Sequence, residues 1–187
     1  MIWGKTMTDK EKFLKNVTII CDTREQANTH ITAVFDKLKV NYISSKLPYG
    51  DYSFKVGEYN FTLLYSVERK GCIDELWRNC TTDRRRFENE IRRMAAISNC
   101  ATLIIENCKS REYLRAYQIP DWQMKAENRK VQNVGKIVDD TLQAWGSPCR
   151  YGLQVHYVEQ QKDTANLLLS LFYHYFQNFK ELMKVGA

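Results

Sequence analysis

At 187 residues, with 44% hydrophobic and 12% aromatic content, the chain is long enough to bury a sheet covered by helices, and its composition excludes an intrinsically disordered segment. Lys and Arg outnumber Asp and Glu by 28 to 22, a net charge of +6 that suits a polyanionic partner without demanding one. No apolar run approaches the roughly 18 residues of a membrane span, the start Met1-Ile2-Trp3-Gly4-Lys5 lacks a signal peptide's apolar stretch, and Cys21, Cys72, Cys80, Cys100, Cys108 and Cys149 show neither C-x-x-C nor zinc-type spacing. An intracellular protein with free, mostly buried thiols is expected, Cys72 and Cys80 included.

Residues 1–16 read as a polar lead-in with a frayed helix over Lys10–Lys15, and residues 17–187 as one domain. The β-branched run Val17-Thr18-Ile19-Ile20-Cys21 predicts a buried strand that delivers Asp22-Thr23-Arg24-Glu25 at its end. A helix follows from Gln26 to Lys39, with Ala27, Ile31, Val34, Phe35 and Leu38 at helical spacing. Val40–Leu47, Asp51–Val56 and Phe61–Val67 then read as three strands of a meander, separated by the turns Pro48-Tyr49-Gly50 and Gly57–Asn60. Helices are expected over Asp74–Cys80 and from Thr81-Thr82-Asp83 to about Ser98, and a strand over Ala101–Glu106. Pro120–Lys130 reads as a loop, Val131–Trp145 as a helix, Leu153–Val158 as a strand and Asp163 to about Lys180 as an amphipathic helix. That order implies a mixed α/β sheet with helices on both faces.

Acidic residues and a lysine fall together in this pattern. Gly50-Asp51 precedes Glu68-Arg69-Lys70 and Asp74. Residues two apart on a strand share a face, so Glu68 and Lys70 project together and Arg69 to the opposite side. Gly50 allows a tight bend just before a carboxylate that must be aimed. Such a set suits phosphodiester hydrolysis, in which a hard divalent ion takes carboxylate oxygens, polarises the phosphate and acidifies water. A lone Glu-Arg-Lys triplet is ordinarily a solvated turn, but that reading leaves Gly50-Asp51, Asp74 and the acidic strand end at Asp22 unexplained. Tyr49 and Tyr52, beside a strand start, read as packing residues, and His30, His156 and His174 lack ligand spacing.

Leu47-Pro48-Tyr49-Gly50-Asp51-Tyr52 and Val67-Glu68-Arg69-Lys70-Gly71-Cys72-Ile73-Asp74 resemble the GD…ERKxxxD signature of XPF-type structure-specific endonucleases, and Asp22-Thr23-Arg24-Glu25 resembles that family's upstream acidic element. The likeness covers roughly residues 17–106 and extends more loosely to the last helix. It implies a restriction-endonuclease-like α/β fold and Mg²⁺- or Mn²⁺-dependent cleavage of branched, forked or flapped DNA to a 5′-phosphate and a 3′-hydroxyl. It also implies a part in DNA repair or recombination. By resemblance the catalytic set is Asp22, Glu25, Asp51, Glu68, Arg69, Lys70 and Asp74, with Asp22, Asp51 and Glu68 as metal ligands. Lys70 would orient or help activate the attacking water, and Arg69 would brace the site by pairing with Asp74 or Glu25, or touch DNA. Arg24, Arg84, Arg85 and Arg86 are the candidate DNA contacts, since a guanidinium can bond two phosphate oxygens at once. Relatives of this type dimerise, as homodimers or heterodimers, through the nuclease domain, and the Phe172, Phe176, Phe179 stripe is a core or a dimer face. Tandem helix-hairpin-helix modules have no counterpart here. The competing expectations are a non-catalytic DNA-binding subunit, and a junction resolvase or sequence-specific nuclease of the same fold.

Overall fold

A computed structural model describes residues 7–98, 101–126, 128 and 130–185; Cys100 lies outside the described residues. Helix α1 (Asp9–Asn16) starts with a capping box, in which the Thr8 hydroxyl accepts from the Glu11 N–H and the Glu11 carboxylate accepts from the Thr8 N–H. Phe13 extends from α1 into the core, its ring within 6.3 Å of those of Phe54, Tyr173 and Phe176. The helix expected to fray over Lys10–Lys15 is instead anchored, because Phe13 is buried and Leu14 packs partly against the same core.

The sheet runs β2 (Asn41–Ser44), β1 (Val17–Cys21), β3 (Tyr52–Val56), β5 (Val67–Lys70), β6 (Thr102–Glu106), β7 (Gln154–Val158), with the two-residue β4 (Tyr59–Asn60) beside β3. β1 is antiparallel to β3, and β3 to β5, while β2 lies parallel to β1 and β5, β6 and β7 lie parallel to one another. The expected meander is corrected here. Helix α2 (Thr29–Leu38) carries the chain across so that β2 joins the far side of β1, leaving β3 free to pair between β1 and β5. Phe61–Ser66 is not a strand; Phe61 stacks on Phe54 with ring centroids 4.4 Å apart, and the strand begins at Val67.

Alternation along the strands divides the interior in two. Val17, Ile19, Phe54, Val67 and Ile104 face one core with α2 and α8 (Thr164–Val185), while Leu103 and Ile105 face the other with α3 (Ile73–Cys80), α4 (Arg84–Ser98), α5 (Arg111–Ala116) and α7 (Val134–Gly146). Phe172, Phe176 and Phe179 of α8 all pack on the first core, Phe172 fully buried and Phe176 and Phe179 partly so, while Leu182 and Met183 stand well out at the helix end. Tyr49 and Tyr52 are buried, as is Cys80; Cys72 is exposed, contrary to expectation, because it precedes α3 on the outer turn. The segment read as a loop contains α6 (Asp121–Ala126), whose first turn closes when the Pro120 carbonyl accepts from the N–H groups of Gln123 and Met124. No helix among the described residues is long and apolar enough to cross a membrane.

Truncating Phe13 to Ala should cost about 3 kcal/mol in urea unfolding. A loss below about 1 kcal/mol would mean that α1 stands outside the cooperative unit.

Candidate active site

The strand order brings the end of β1, the start of β3 and the whole of β5 to one edge of the sheet. The Asp22 N–H donates to the Asp51 carbonyl at 2.8 Å, and the Asp51 N–H donates to the Val67 carbonyl at 2.9 Å. Gly50 makes the approach feasible. Its φ is +72°, and a Cβ there would lie 2.9 Å from Ser66 Oγ. Asp51 is thereby aimed across β5, where its Oδ2 accepts from the Arg69 N–H at 2.8 Å.

On β5, Glu68 and Lys70 register with Leu103 and Ile105 and point to the α3/α4 side, while Arg69 registers with Ile104 and points to the α2/α8 side. Lys70 Nζ lies 2.6 Å from Glu68 Oε1 and 3.5 Å from Glu75 Oε1, and sits 5.1 Å from the centre of the Phe87 ring. Arg69 turns the other way into a buried brace. Its Nη1 donates to Glu106 Oε2 at 2.6 Å and its Nη2 to Glu25 Oε1 at 2.9 Å. The other oxygen of Glu106 accepts from Thr164 Oγ1 at 2.6 Å and lies 2.8 Å from His30 Nε2. Of the two partners expected for Arg69, the structure supplies Glu25 and puts Glu106 in place of Asp74.

Both carboxylate oxygens of Asp22 are engaged. Oδ1 accepts from the Arg24 backbone N–H at 2.8 Å and from Arg24 Nε at 2.6 Å, and Oδ2 accepts from the Leu47 N–H at 2.6 Å. Burial works to raise the Asp22 pKa, but these donors hold it below the ordinary range. Asp74 lies in the first turn of α3, where Gln123 Nε2 of α6 donates to its Oδ2 at 2.8 Å. Among the arginines, Arg84 packs 5.6 Å from the Trp145 ring, Arg85 is exposed, and Arg86 lies 3.9 Å from Asp83 with its side chain 73% exposed. Three residues at the site were not expected from the sequence. Glu75 bonds Lys70 and the Gly71 N–H, Glu106 closes the brace, and the charge of Glu90 on α4 reaches both Glu68 and Arg24. The available signal for Glu106 was a carboxylate ending an otherwise apolar strand.

A mixed sheet with carboxylates and a lysine gathered where β1, β3 and β5 meet is the restriction-endonuclease-like architecture. Residues 21–171 match the ERCC4 domain, and the chain belongs to that family, one of DNA nucleases. Solved structures that share its fold include two of XPF from Aeropyrum pernix. XPF from Aeropyrum pernix is 21% identical over 82% of this chain and 64% of that chain, with a TM-score of 0.55. XPF from Aeropyrum pernix in complex with DNA is 19% identical over 86% of this chain and 65% of that one, with a TM-score of 0.57. This chain thus spans just under two thirds of those chains. No curated protein matches the sequence.

The divalent ion expected at such a site has two carboxylates to meet. Among the described residues no group of three or more His, Cys, Asp or Glu side chains is gathered to hold a metal. Two suffice for Mg²⁺, which keeps several waters and takes its remaining ligands from substrate phosphate. Glu68 Oε2 is buried and has no hydrogen-bond partner. The Asp51 carboxyl is held well above the ordinary carboxylate range by burial and then by the charge of Glu68; burial likewise raises Glu68, against the pull of Lys70. A pair of carboxyls this short of positive charge fits a cation. Lys70 goes the other way: burial opposes its charge, yet Glu68 and Asp51 raise its pKa above that of an ordinary lysine, so it remains an ammonium.

A carboxyl raised in the folded state lowers metal-free stability as pH climbs through and above the ordinary carboxylate range, because the native form resists ionisation more than the unfolded chain does. Asp51→Asn retains an acceptor for the Arg69 N–H. It should raise the melting temperature in EDTA by a few degrees near neutral pH, and the advantage should vanish below about pH 4, where Asp51 is protonated in both states. A melting temperature lowered by Asp51→Asn throughout that range in calorimetry would refute this picture of the pair.

Proposed function

We propose that this chain is a divalent-metal-dependent DNA endonuclease whose reacting centre is Asp51, Glu68 and Lys70. The observation that carries the reading is the buried, unpartnered Glu68 Oε2 beside an Asp51 carboxyl that is itself raised by burial and by Glu68. Asp51 and Glu68 would hold Mg²⁺ or Mn²⁺, which when bound polarises the scissile phosphate and makes water acidic enough to attack it.

The protein's own groups supply alignment and charge. Lys70, fixed by Glu68 and Glu75, offers ammonium N–H donors to the attacking water or to a phosphate oxygen; being protonated, it serves as a donor and not as a base. Arg69 and Glu25 set the direction of β5 from its opposite face, and the Arg69 N–H holds Asp51. Asp22 we assign to positioning and not to metal ligation, since its two oxygens already fasten Arg24 and the Leu47 N–H. Asp74 positions through α6 by way of Gln123. Arg24, whose side chain is 61% exposed beside Asp22, would meet substrate phosphates together with the exposed Arg85 and Arg86, while Arg84 is turned toward Trp145.

Branched, forked or flapped DNA is the proposed substrate class, cut to leave a 5′-phosphate and a 3′-hydroxyl in a repair or recombination setting. The XPF-type signature supports it, and the likeness to XPF from Aeropyrum pernix, whose structure is a complex with DNA, supports DNA as the partner. Five free cysteines among the described residues fit a reducing, intracellular setting.

Purified protein incubated with end-labelled forked, flapped and linear DNA should cut in Mg²⁺ or Mn²⁺ and not in EDTA, with the branched substrates preferred. Asp51→Ala should abolish cutting, and Lys70→Ala should slow it about 10²–10³-fold. Folded, metal-loaded protein that cuts none of these DNAs would favour a DNA-binding subunit. Equal cutting of linear and branched DNA would favour another nuclease of the same fold.

A further inference from the structure

The arginines of α4 do not form a single face. Arg86 sits at the rim of the helix next to Phe87, over which Lys70 lies, whereas Arg85 and Arg92 are seven residues apart and share the outer side of the helix. Along that outer side three shallow depressions follow one another. The first is bounded by Thr82, Asp83, Arg85, Arg86 and Asn89. The second shares Thr82, Arg85 and Asn89 with it and adds Arg92 and Tyr151. The third shares Arg92 and Tyr151 with the second and continues past Arg150 to Ala96. From Arg85 to Ala96 the helix rises roughly 16 Å, so together these form one continuous groove between α4 and the turn that precedes β7.

Its charge is neither balanced nor loose. Arg84, Arg85, Arg86, Arg92 and Arg150 line it against two carboxylates, Glu88 and, at the end beside Arg86, Asp83. Glu88 fixes the geometry of Arg84 and Arg150. Its Oε1 accepts from Tyr151 Oη at 2.9 Å and from Arg150 Nη2, its Oε2 lies 3.6 Å from Arg84 Nε, and Arg150 lies over the Tyr151 ring at 5.2 Å. Arg92 is held by the Asn89 side-chain oxygen. An ordinary solvated helix face would pair each arginine with an acid; here Glu88 orders two guanidiniums, those of Arg84 and Arg150, and the arginines outnumber the acids, which leaves a net positive track.

We infer that the groove of Arg85, Arg92, Arg150 and Tyr151 is a second DNA-binding surface, which takes the phosphate backbone of the substrate where it leaves the reacting centre past Arg86. The inference rests on the nuclease reading. Continuity with the site favours DNA over an acidic protein segment, because Arg86, which lines the first depression, adjoins Phe87, and the Phe87 ring lies 5.1 Å from Lys70 Nζ. Planar guanidiniums held at fixed spacing suit successive phosphates, and each phosphate so neutralised releases counterions.

The test is fluorescence anisotropy of labelled forked DNA in EDTA over a series of salt concentrations, for the wild type and for Arg92→Gln/Arg150→Gln. Both side chains are exposed, so the double variant should keep the wild-type melting temperature. Its affinity should fall about tenfold, and the slope of log K against log salt should shrink by about two, one for each lost phosphate contact. Single-turnover cleavage at saturating enzyme in Mg²⁺ should be unchanged. Wild-type affinity and slope in the double variant would overturn the inference and leave the nuclease reading standing, as would displacement of polyglutamate from the groove with no change in DNA binding. A wild type that binds no DNA would overturn both.

Discussion

Arg69 is the constraint on which the site depends. A single guanidinium, almost wholly buried, stands between two carboxylates, Glu25 at 2.9 Å and Glu106 at 2.6 Å, and Glu106 is further tied to Thr164 and His30. These links join β5 to the loop after β1, to α2, to the end of β6 and to the start of α8. Such a cluster is weak evidence for stability, since desolvation offsets most of its Coulombic gain, but removing one member leaves buried charge uncompensated. Its consequence here is directional. With Arg69 fixed on one face of a regular strand, Glu68 and Lys70 must emerge on the other, and the backbone N–H of the same residue holds the Asp51 carboxylate beside them.

That placement leaves Asp51 and Glu68 poorly compensated. Lys70 answers one oxygen of Glu68, and the Arg69 N–H answers one oxygen of Asp51, but burial still raises both carboxyls, joined at Asp51 by the charge of Glu68 and at Glu68 by those of Glu90 and Glu75. The protein thus carries at its centre a pair that costs stability in the absence of a cation, as expected where function and stability compete. Asp22 lies close by and differs in character. Three hydrogen bonds from Arg24 and Leu47 satisfy it and lower its pKa, so the two kinds of acidic residue are separated by environment and not by residue type.

Much of the site was legible in the sequence because its parts are local. The period of two along β5 separates Arg69 from Glu68 and Lys70 without any tertiary information, and Gly50 before Asp51 marks a turn that only glycine fills at a φ of +72° with Ser66 so near. What was not legible depends on pairing at long range. Arg69 and Glu106 are 37 residues apart, and nothing in either segment specifies the partner. The place of β2 beside β1 follows from the crossover through α2, whereas short turns in the sequence suggested a meander. Glu90 and Glu88 have the same helical spacing from their arginines as ordinary surface pairs; only the packed helix shows one turned toward Glu68 and the other binding Arg150. The last-helix phenylalanines were ambiguous between core and interface; the aromatic cluster around Phe54 and Phe61 buries Phe172, while Phe176 and Phe179 pack at its edge and are partly buried.

The central claim is that Asp51 and Glu68 together form the cation site which the Arg69 brace aims. The most direct test is anomalous scattering from crystals of the protein grown with Mn²⁺. The account predicts a peak bonded to an Asp51 oxygen and to Glu68 Oε2, with Asp22 still bound to Arg24 and the Leu47 N–H. A saturating Mn²⁺ concentration that leaves Glu68 Oε2 without a peak, or that places the ion on Glu25 and Glu106 with Arg69 displaced, would contradict it.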